Sequence, residues 1–486
     1  MTSTLPGVAG SSDGTPPRAL PAGLPPLPAT APSPEPDPDG AARTHALDRA
    51  HVFHSWSAQA TLDPFVVVGA QGSWVWGGDG RPVLDFSSQL VFTNIGFGHP
   101  KVVAAIAEQA TRLATIAPQH ANAARSEAAR LVVERAPGQH FSHVFFTNGG
   151  ADAIENAVRM ARLHTGRRKV LARYRSYHGN TTTAINLTGD PRRWPNDYGA
   201  EGVVHFHGPF LYRSHFHATT EAEETERALA HLESIIQLEG PSTIAAVVLE
   251  SIPGTAGIMV PPPGYLRGVR DLCDRYGIVW IADEVMSGFG RAGRWFACEL
   301  AGEGAEPDLV TFAKGVNSGY VPLGGVLVSR PVYETFARRP FPGGLTYSGH
   351  PLACAAAVAT ITAMEEEGTV ENADRLGREV FGPELAALAD RHPIVGEVRG
   401  AGAFWALELV RDKATREPLV PFNASGEANA PMATFAAACR RLGLMPFVNG
   451  SRTHVVPALN ITDEEARYGL ALLDAALTEV EDHLDA

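Results

Sequence analysis

The run Phe141-Ser142-His143-Val144-Phe145-Phe146-Thr147-Asn148-Gly149-Gly150-Ala151-Asp152 decides the fold, because an apolar, β-rich segment ends in two glycines and a helical pattern follows at once. Behind it Ile154, Val158 and Ala161 are spaced four and three apart, which lines one face of a helix with apolar side chains. Glycines at the turn let the backbone come close to a ligand, and the open amides and dipole of the helix start favour an anion such as a phosphate. The same strand-turn-helix unit is common as pure structure. No Lys-Ser/Thr follows it, so it is not a Walker-type nucleotide loop.

The alternation continues downstream. Apolar, β-branched runs cover residues 141–147, 169–172, 203–206, 244–250, 278–283, 309–312 and 325–328, and amphipathic stretches such as 265–276 lie between them. Strands alternating with helices predict an α/β fold with a mostly parallel sheet covered on both faces. From about residue 351 the pattern changes to an Ala-rich helix, a Gly-rich segment over 395–404, further strands, and a last helix from 462 to about 484. That reads as a smaller α+β domain. At 486 residues the chain exceeds one core. The expected division is a disordered Pro/Ala-rich tail over 1–44, a first piece of the small domain over 45–100, a large domain over 101–345, and the rest of the small domain over 346–486. A Gly-x-Ser-x-Gly match at 10–14 lies in the tail, without the strand and helix that a hydrolase elbow needs.

Composition narrows the partners. A net charge of -13 opposes nucleic acid and anionic membranes, and there is no apolar run long enough to span a bilayer and no signal-peptide pattern. The four cysteines, Cys273, Cys298, Cys354 and Cys439, show no zinc or disulfide spacing, so a reducing cytoplasm is expected.

Three further motifs carry chemistry. Tyr177-His178-Gly179 follows a strand, where a ring can stack on a planar heterocycle or serve as a half-buried surface aromatic. Ile278 to Val285 ends an apolar strand with Asp283 and Glu284, and a buried carboxylate there requires a cation, either a protonated ring nitrogen or a magnesium ion. The magnesium reading lacks its Walker lysine. Lys314 ends the strand Thr311-Phe312-Ala313 as an ion-pair partner or, with its pKa lowered by apolar surroundings, as a Schiff-base nucleophile. Gly288-Phe289-Gly290-Arg291-Ala292-Gly293 matches the dinucleotide fingerprint but lacks its strand-to-helix turn.

The ordered set TNGGADAIENA, SYHGN, VVLESIPGTAGIMVPPPGYL, IADEVMSGFGRAG, TFAKGVNSG and GLTYSGHPLACAAA resembles the class III (omega-amino) aminotransferases of fold type I, over nearly all of the chain after the tail. Within that family it is most similar to the taurine and other omega-amine transaminases. The resemblance implies pyridoxal 5'-phosphate carried on Lys314, which also moves the proton, and Asp283 on the ring nitrogen. It places Gly149, Gly150 and Ala151 at the phosphate, Tyr177 and Val285 on the two ring faces, and His178, Glu250 and Met286 close by. Thr346 matches the residue that reaches the phosphate in the partner subunit, so a homodimer with active sites at its interface is implied. The reaction implied is a ping-pong transfer from an amine to a 2-oxoacid, pyruvate or 2-oxoglutarate.

The departures concern the substrate. Many relatives have Gln where Met286 stands, and an arginine that grips a carboxylate where His454 stands. Arg452, two residues earlier on the same strand face, is one replacement, and Arg213 in an irregular loop is another. Leu90, Val91 and Phe92 fall in the segment that shapes the pocket in relatives, or form a plain strand of the small domain. Other chemistry on the same fold remains an alternative: a racemase, decarboxylase, mutase or amine-lyase. So does a silent binding protein, against which Lys314 and Asp283 together argue.

Overall fold

Apolar strands feeding amphipathic helices build the larger of two units, Pro100–Asp374, in a computed structural model that describes residues 23–196 and 202–484. Its sheet holds, among the described residues, β1 (Phe141–Thr147), β2 (Lys169–Arg173), β3 (Val203–Phe206), β4 (Ile244–Glu250), β5 (Val279–Asp283), β6 (Leu309–Phe312) and β7 (Gly324–Ser329), in the order β1-β7-β6-β5-β4-β2-β3. Neighbours from β6 through β3 pair in parallel, whereas β7 is antiparallel to both β1 and β6. The connection over 313–323 contains one 3-10 turn and no crossover helix, so the chain returns antiparallel.

Every residue of β4 is buried, as a strand covered on both faces requires. On one face helix α1 (Gly150–Thr165) packs Ile154, Ala157 and Ala161 against the cluster that includes Val170, Val248 and Ile281. Helices α2 (Glu221–Glu239) and α3 (Tyr265–Tyr276) complete the alternation, with Leu266, Val269 and Cys273 of α3 buried. Because β4, β5 and β6 are parallel, their carboxyl ends share one edge, where Glu250 pairs with Asp283 and Asp283 with Thr311. Ligands of open α/β sheets bind at such edges.

The smaller unit joins both chain ends, Met1–His99 and Arg375–Ala486. One sheet combines Gly69–Gln71, Trp74–Trp76, Pro82–Asp85 and Leu444–Met445; another is built on Val395–Ala401, Phe404–Asp412 and Arg452–Val455. Two expected boundaries shift. Helix Pro351–Glu366 packs on helices Pro100–Leu113 and Ala123–Glu134 and so falls in the larger unit, which ends at Asp374 and not at 345. The expected tail gives way to a helix, Pro38–His51, begun by an Asp37 cap that accepts from the Gly40 amide and by Pro38 at the first turn. Residues 1–22, with the match at 10–14, lie outside the described residues.

Candidate active site

The end of β5 and the residue that follows it, Asp283 and Glu284, turn two consecutive carboxylates to different partners, as the alternation of an extended chain demands. Asp283 Oδ2 takes His178 Nδ1 at 2.7 Å, and Oδ1 accepts from the Val285 amide at 3.0 Å and Thr311 Oγ1 at 3.4 Å. Glu284, wholly buried, turns the other way and accepts from Ser287 Oγ (2.8 Å) and the amides of Ala297 (2.9 Å) and Cys298 (2.7 Å). Of the two, only Asp283 therefore faces His178 and Thr311. The His178 side chain is fully buried; burial works against its charge, but the bond to Asp283 and the nearby carboxylates outweigh it and raise its pKa above the ordinary value.

Lys314 follows β6 by two residues and opens the 3-10 turn Lys314–Asn317, with a left-handed φ of 48°. A non-glycine residue in that region stores strain, a pattern common at functional sites. Burial pushes its amine down to about 8; Glu250 and Asp283 oppose the shift, and Arg192 and Arg291 add to it. A lysine so placed is in part an unprotonated nucleophile near neutral pH.

Helix α1 starts at Gly149 without a side-chain cap, so no side chain competes for its first amides, those of Gly150 and Ala151. A Cβ on Gly150 would lie 2.8 Å from Val285 Cγ1, which shows how closely Val285 packs on this turn. Gly179 has φ 136° and lies where a Cβ would come within 2.6 Å of Ala151 Cβ. Only glycine fits both constraints. The Tyr177-His178-Gly179 loop thus abuts the start of α1. It is tied to β4 through Glu250, whose Oε1 accepts from the Tyr177 amide (2.9 Å) and Oε2 from the Gly254 amide (2.8 Å). Burial raises the Glu250 pKa, and Asp283 adds to that. Met286 is half-buried beside Val285. Thr346 is exposed in a turn that Ser348 pins to β1 by a 2.8 Å bond to the Phe146 carbonyl.

The residues proposed for substrate behave differently. Arg213, at the end of the turn Leu211–Arg213, lies over the ring of its neighbour Tyr212 at 5.0 Å. Arg452 and His454 belong to the smaller unit, in a strand where Arg452 stands opposite Glu408. His454 is fully buried, and neither ring nitrogen has a hydrogen-bond partner among the described residues. Burial and the nearby Arg452 and Arg399 hold its pKa well below the ordinary value, so it carries no charge to offer an anion. Leu90, Val91 and Phe92 form no strand; Ser88–Val91 is a distorted turn with left-handed φ at Ser88, Gln89 and Val91. Leu90 and Phe92 line a cavity of about 400 Å³ with Phe65, Met445 and Phe447, while Val91 is buried away from it.

Arg192 is missing from the residues singled out by motif. Its guanidinium covers the Tyr177 ring at 3.7 Å, and its Nε reaches Asp190 at 3.0 and 3.1 Å. The local signal is Asp190-Pro191-Arg192, an Asx turn closed by the Arg192 amide on Asp190 Oδ1 at 2.9 Å.

An uncapped helix start, a buried carboxylate at a strand end and a buried lysine amine together fit a phosphorylated pyridine aldehyde. Comparison with known proteins agrees. The sequence profile of the family described as aminotransferase class-III matches residues 56–477. The chain is similar to a taurine:2-oxoglutarate aminotransferase structure from Bifidobacterium kashiwanohense in complex with PLP and glutamate. The two are 40% identical with a TM-score of 0.87, over 91% of this chain and 98% of that one. It is 35% identical to a taurine–pyruvate aminotransferase of Rhodobacter capsulatus over 86% of this chain and 90% of the relative. An (S)-enantioselective omega-transaminase structure from Thermomicrobium roseum is 37% identical, with a TM-score of 0.84 over 90% of this chain and 99% of that one.

Proposed function

This chain belongs to the class III aminotransferases, enzymes that depend on pyridoxal phosphate to move an amino group from an amine to a 2-oxoacid, and we propose the following division of labour among its residues. Lys314 would hold the cofactor through its ε-amine and, once the donor amine has displaced it, would serve as the general acid/base that moves the donor carbon's proton. Pyridoxal phosphate, when bound, supplies an electron sink for the charge left by that proton. Asp283 holds the positive ring nitrogen, and His178 behind it fixes the carboxylate. The first amides of α1, at Gly150 and Ala151, bind the phosphate. Tyr177 covers one ring face and Val285 the other, with Glu250 keeping Tyr177 in place.

The observation that carries this reading is the pairing of Asp283, at the end of β5, with Thr311 of β6, which brings the Lys314 that follows β6 to the same sheet edge, where burial pushes its amine down to about 8. The donor is an amine or ω-amino acid of the taurine kind and the acceptor pyruvate or 2-oxoglutarate; taurine aminotransferases among the relatives support that choice. The working form is a homodimer in which Thr346 reaches the partner's phosphate site; the exposure of Thr346 and of Tyr347 (59%) supports it. A cytoplasmic location is supported by four free cysteines, all buried. Purified protein should show a cofactor absorbance band that Lys314→Ala abolishes. A panel of amines against both oxoacids should then give stoichiometric amino-acid product. No product with any donor, despite bound cofactor, would sink the reading in favour of other chemistry on this fold.

A further inference from the structure

We propose that Arg192 binds the anionic end of the substrate, a sulfonate or carboxylate remote from the reacting amine, and thereby selects ω-amino acids over uncharged amines. The proposal rests on the aminotransferase reading above. It also explains how a chain with His454 at the usual arginine's place can recognise an anion, since His454 is buried and uncharged.

Charged groups close enough to affect Lys314 include Glu250, Asp283, Arg192 and Arg291. The two carboxylates repel an anion. Arg291 is completely buried, so no ligand reaches it without unpacking the unit. Arg192 remains, with 16% of its side chain exposed, enough for contact yet low enough for its charge to act across little water.

The setting of Arg192 suits the task. Nε and Nη2 are given to Asp190, and Nη1, with two N–H donors, makes no hydrogen bond among the described residues. Asp190 anchors the guanidinium without using up its donors. The rest of the contact is the face of Tyr177, a ring interaction weaker than a charge-assisted bond to an oxyanion. An incoming anion can therefore draw on Nη1 while the Asp190 anchor stays in place. Tyr177 is held by Glu250, and Glu250 sits beside Asp283 on the sheet edge, so Arg192 and Lys314 are referred to one rigid frame. A zwitterionic ω-amino acid would present its amine to Lys314 and its anion to Arg192.

The test uses holoenzyme of the wild type, Arg192→Gln and Arg192→Lys, each checked for bound cofactor by absorbance. Ethanesulfonate, which has the anion and no amine, is titrated by calorimetry. Single-turnover conversion by taurine and by 1-phenylethylamine, without oxoacid, then gives the donor dependence. Arg192→Gln should weaken ethanesulfonate at least tenfold and raise the half-saturating taurine concentration at least tenfold relative to that of 1-phenylethylamine, with partial recovery in Arg192→Lys. Equal losses for both amines with ethanesulfonate binding unchanged would mean that Arg192 merely props Tyr177, and would overturn the proposal. Failure of wild-type holoenzyme to react with any donor of the amine panel would overturn the aminotransferase reading instead, and the ethanesulfonate titration would still decide the role of Arg192.

Discussion

His178 Nδ1 stands 2.7 Å from Asp283 Oδ2, joining the loop after β2 to the end of β5 through a side chain with no exposed surface. Removing the imidazole leaves a buried carboxylate oxygen without its donor, a loss of about 1–3 kcal/mol and hence roughly fivefold to 150-fold in an equilibrium. His178→Phe should weaken cofactor affinity by that factor, read from absorbance titration of the apoenzyme. His178→Gln, which keeps an N–H donor, should recover part of it; equal loss in both variants would deny the bond its role.

Lys314 sets a pH dependence. Its amine is lowered to about 8, so it is protonated and inert below that pH and neutral above it. The rate at which apoenzyme captures pyridoxal phosphate should rise roughly tenfold per pH unit below about 8 and level off above. A rate still climbing at pH 10 would show an ordinary lysine. Stopped-flow absorbance at constant ionic strength measures it.

How much of this could be read from residue order divides along physical lines. Strand cores and the turn at Gly149 were legible because continuous apolar runs and apolar spacing of four and three are local signals, and helix 265–276 appears with both ends as spaced. Asp37-Pro38 was also a legible helix start, hidden by the Pro-rich composition around it. The antiparallel β7, the split between Asp283 and Glu284, the His178 bond and the Arg192 stack depend on contacts between segments distant along the chain, or on side-chain direction that motif order does not carry. The turn at Ser88–Val91 was obscured by apolar residues that suit a strand, while Asp85 takes Ser87 Oγ at 2.6 Å and Gln89 Nε2 at 2.8 Å and bends the chain.

Gly179 should be intolerant of a methyl group. Gly179→Ala combines a Cβ contact of 2.6 Å with a φ of 136°. The expected loss is about 2–4 kcal/mol of unfolding free energy, from overpacking and backbone strain together. Because Ala151 is what the methyl meets, phosphate affinity should fall as well, and urea unfolding with and without inorganic phosphate reads both.

The thiols should be silent in the native protein. All four cysteines are buried, and burial pushes Cys273 and Cys354 up to about 12. An aromatic disulfide reagent at pH 8 should find no thiol before unfolding and four afterwards. Rapid reaction of any one of them in the folded state would contradict its burial.

The back-to-back arrangement of Asp283 and Glu284 gives β5 a parity. Side chains along it can be exchanged for others of similar volume and the site survives, but its length cannot change by an odd number. One residue inserted or deleted within Val279–Asp283 would turn Asp283 toward Ser287, Ala297 and Cys298, and Glu284 toward His178. Both acids would still be present, one position apart, each facing the other's partners.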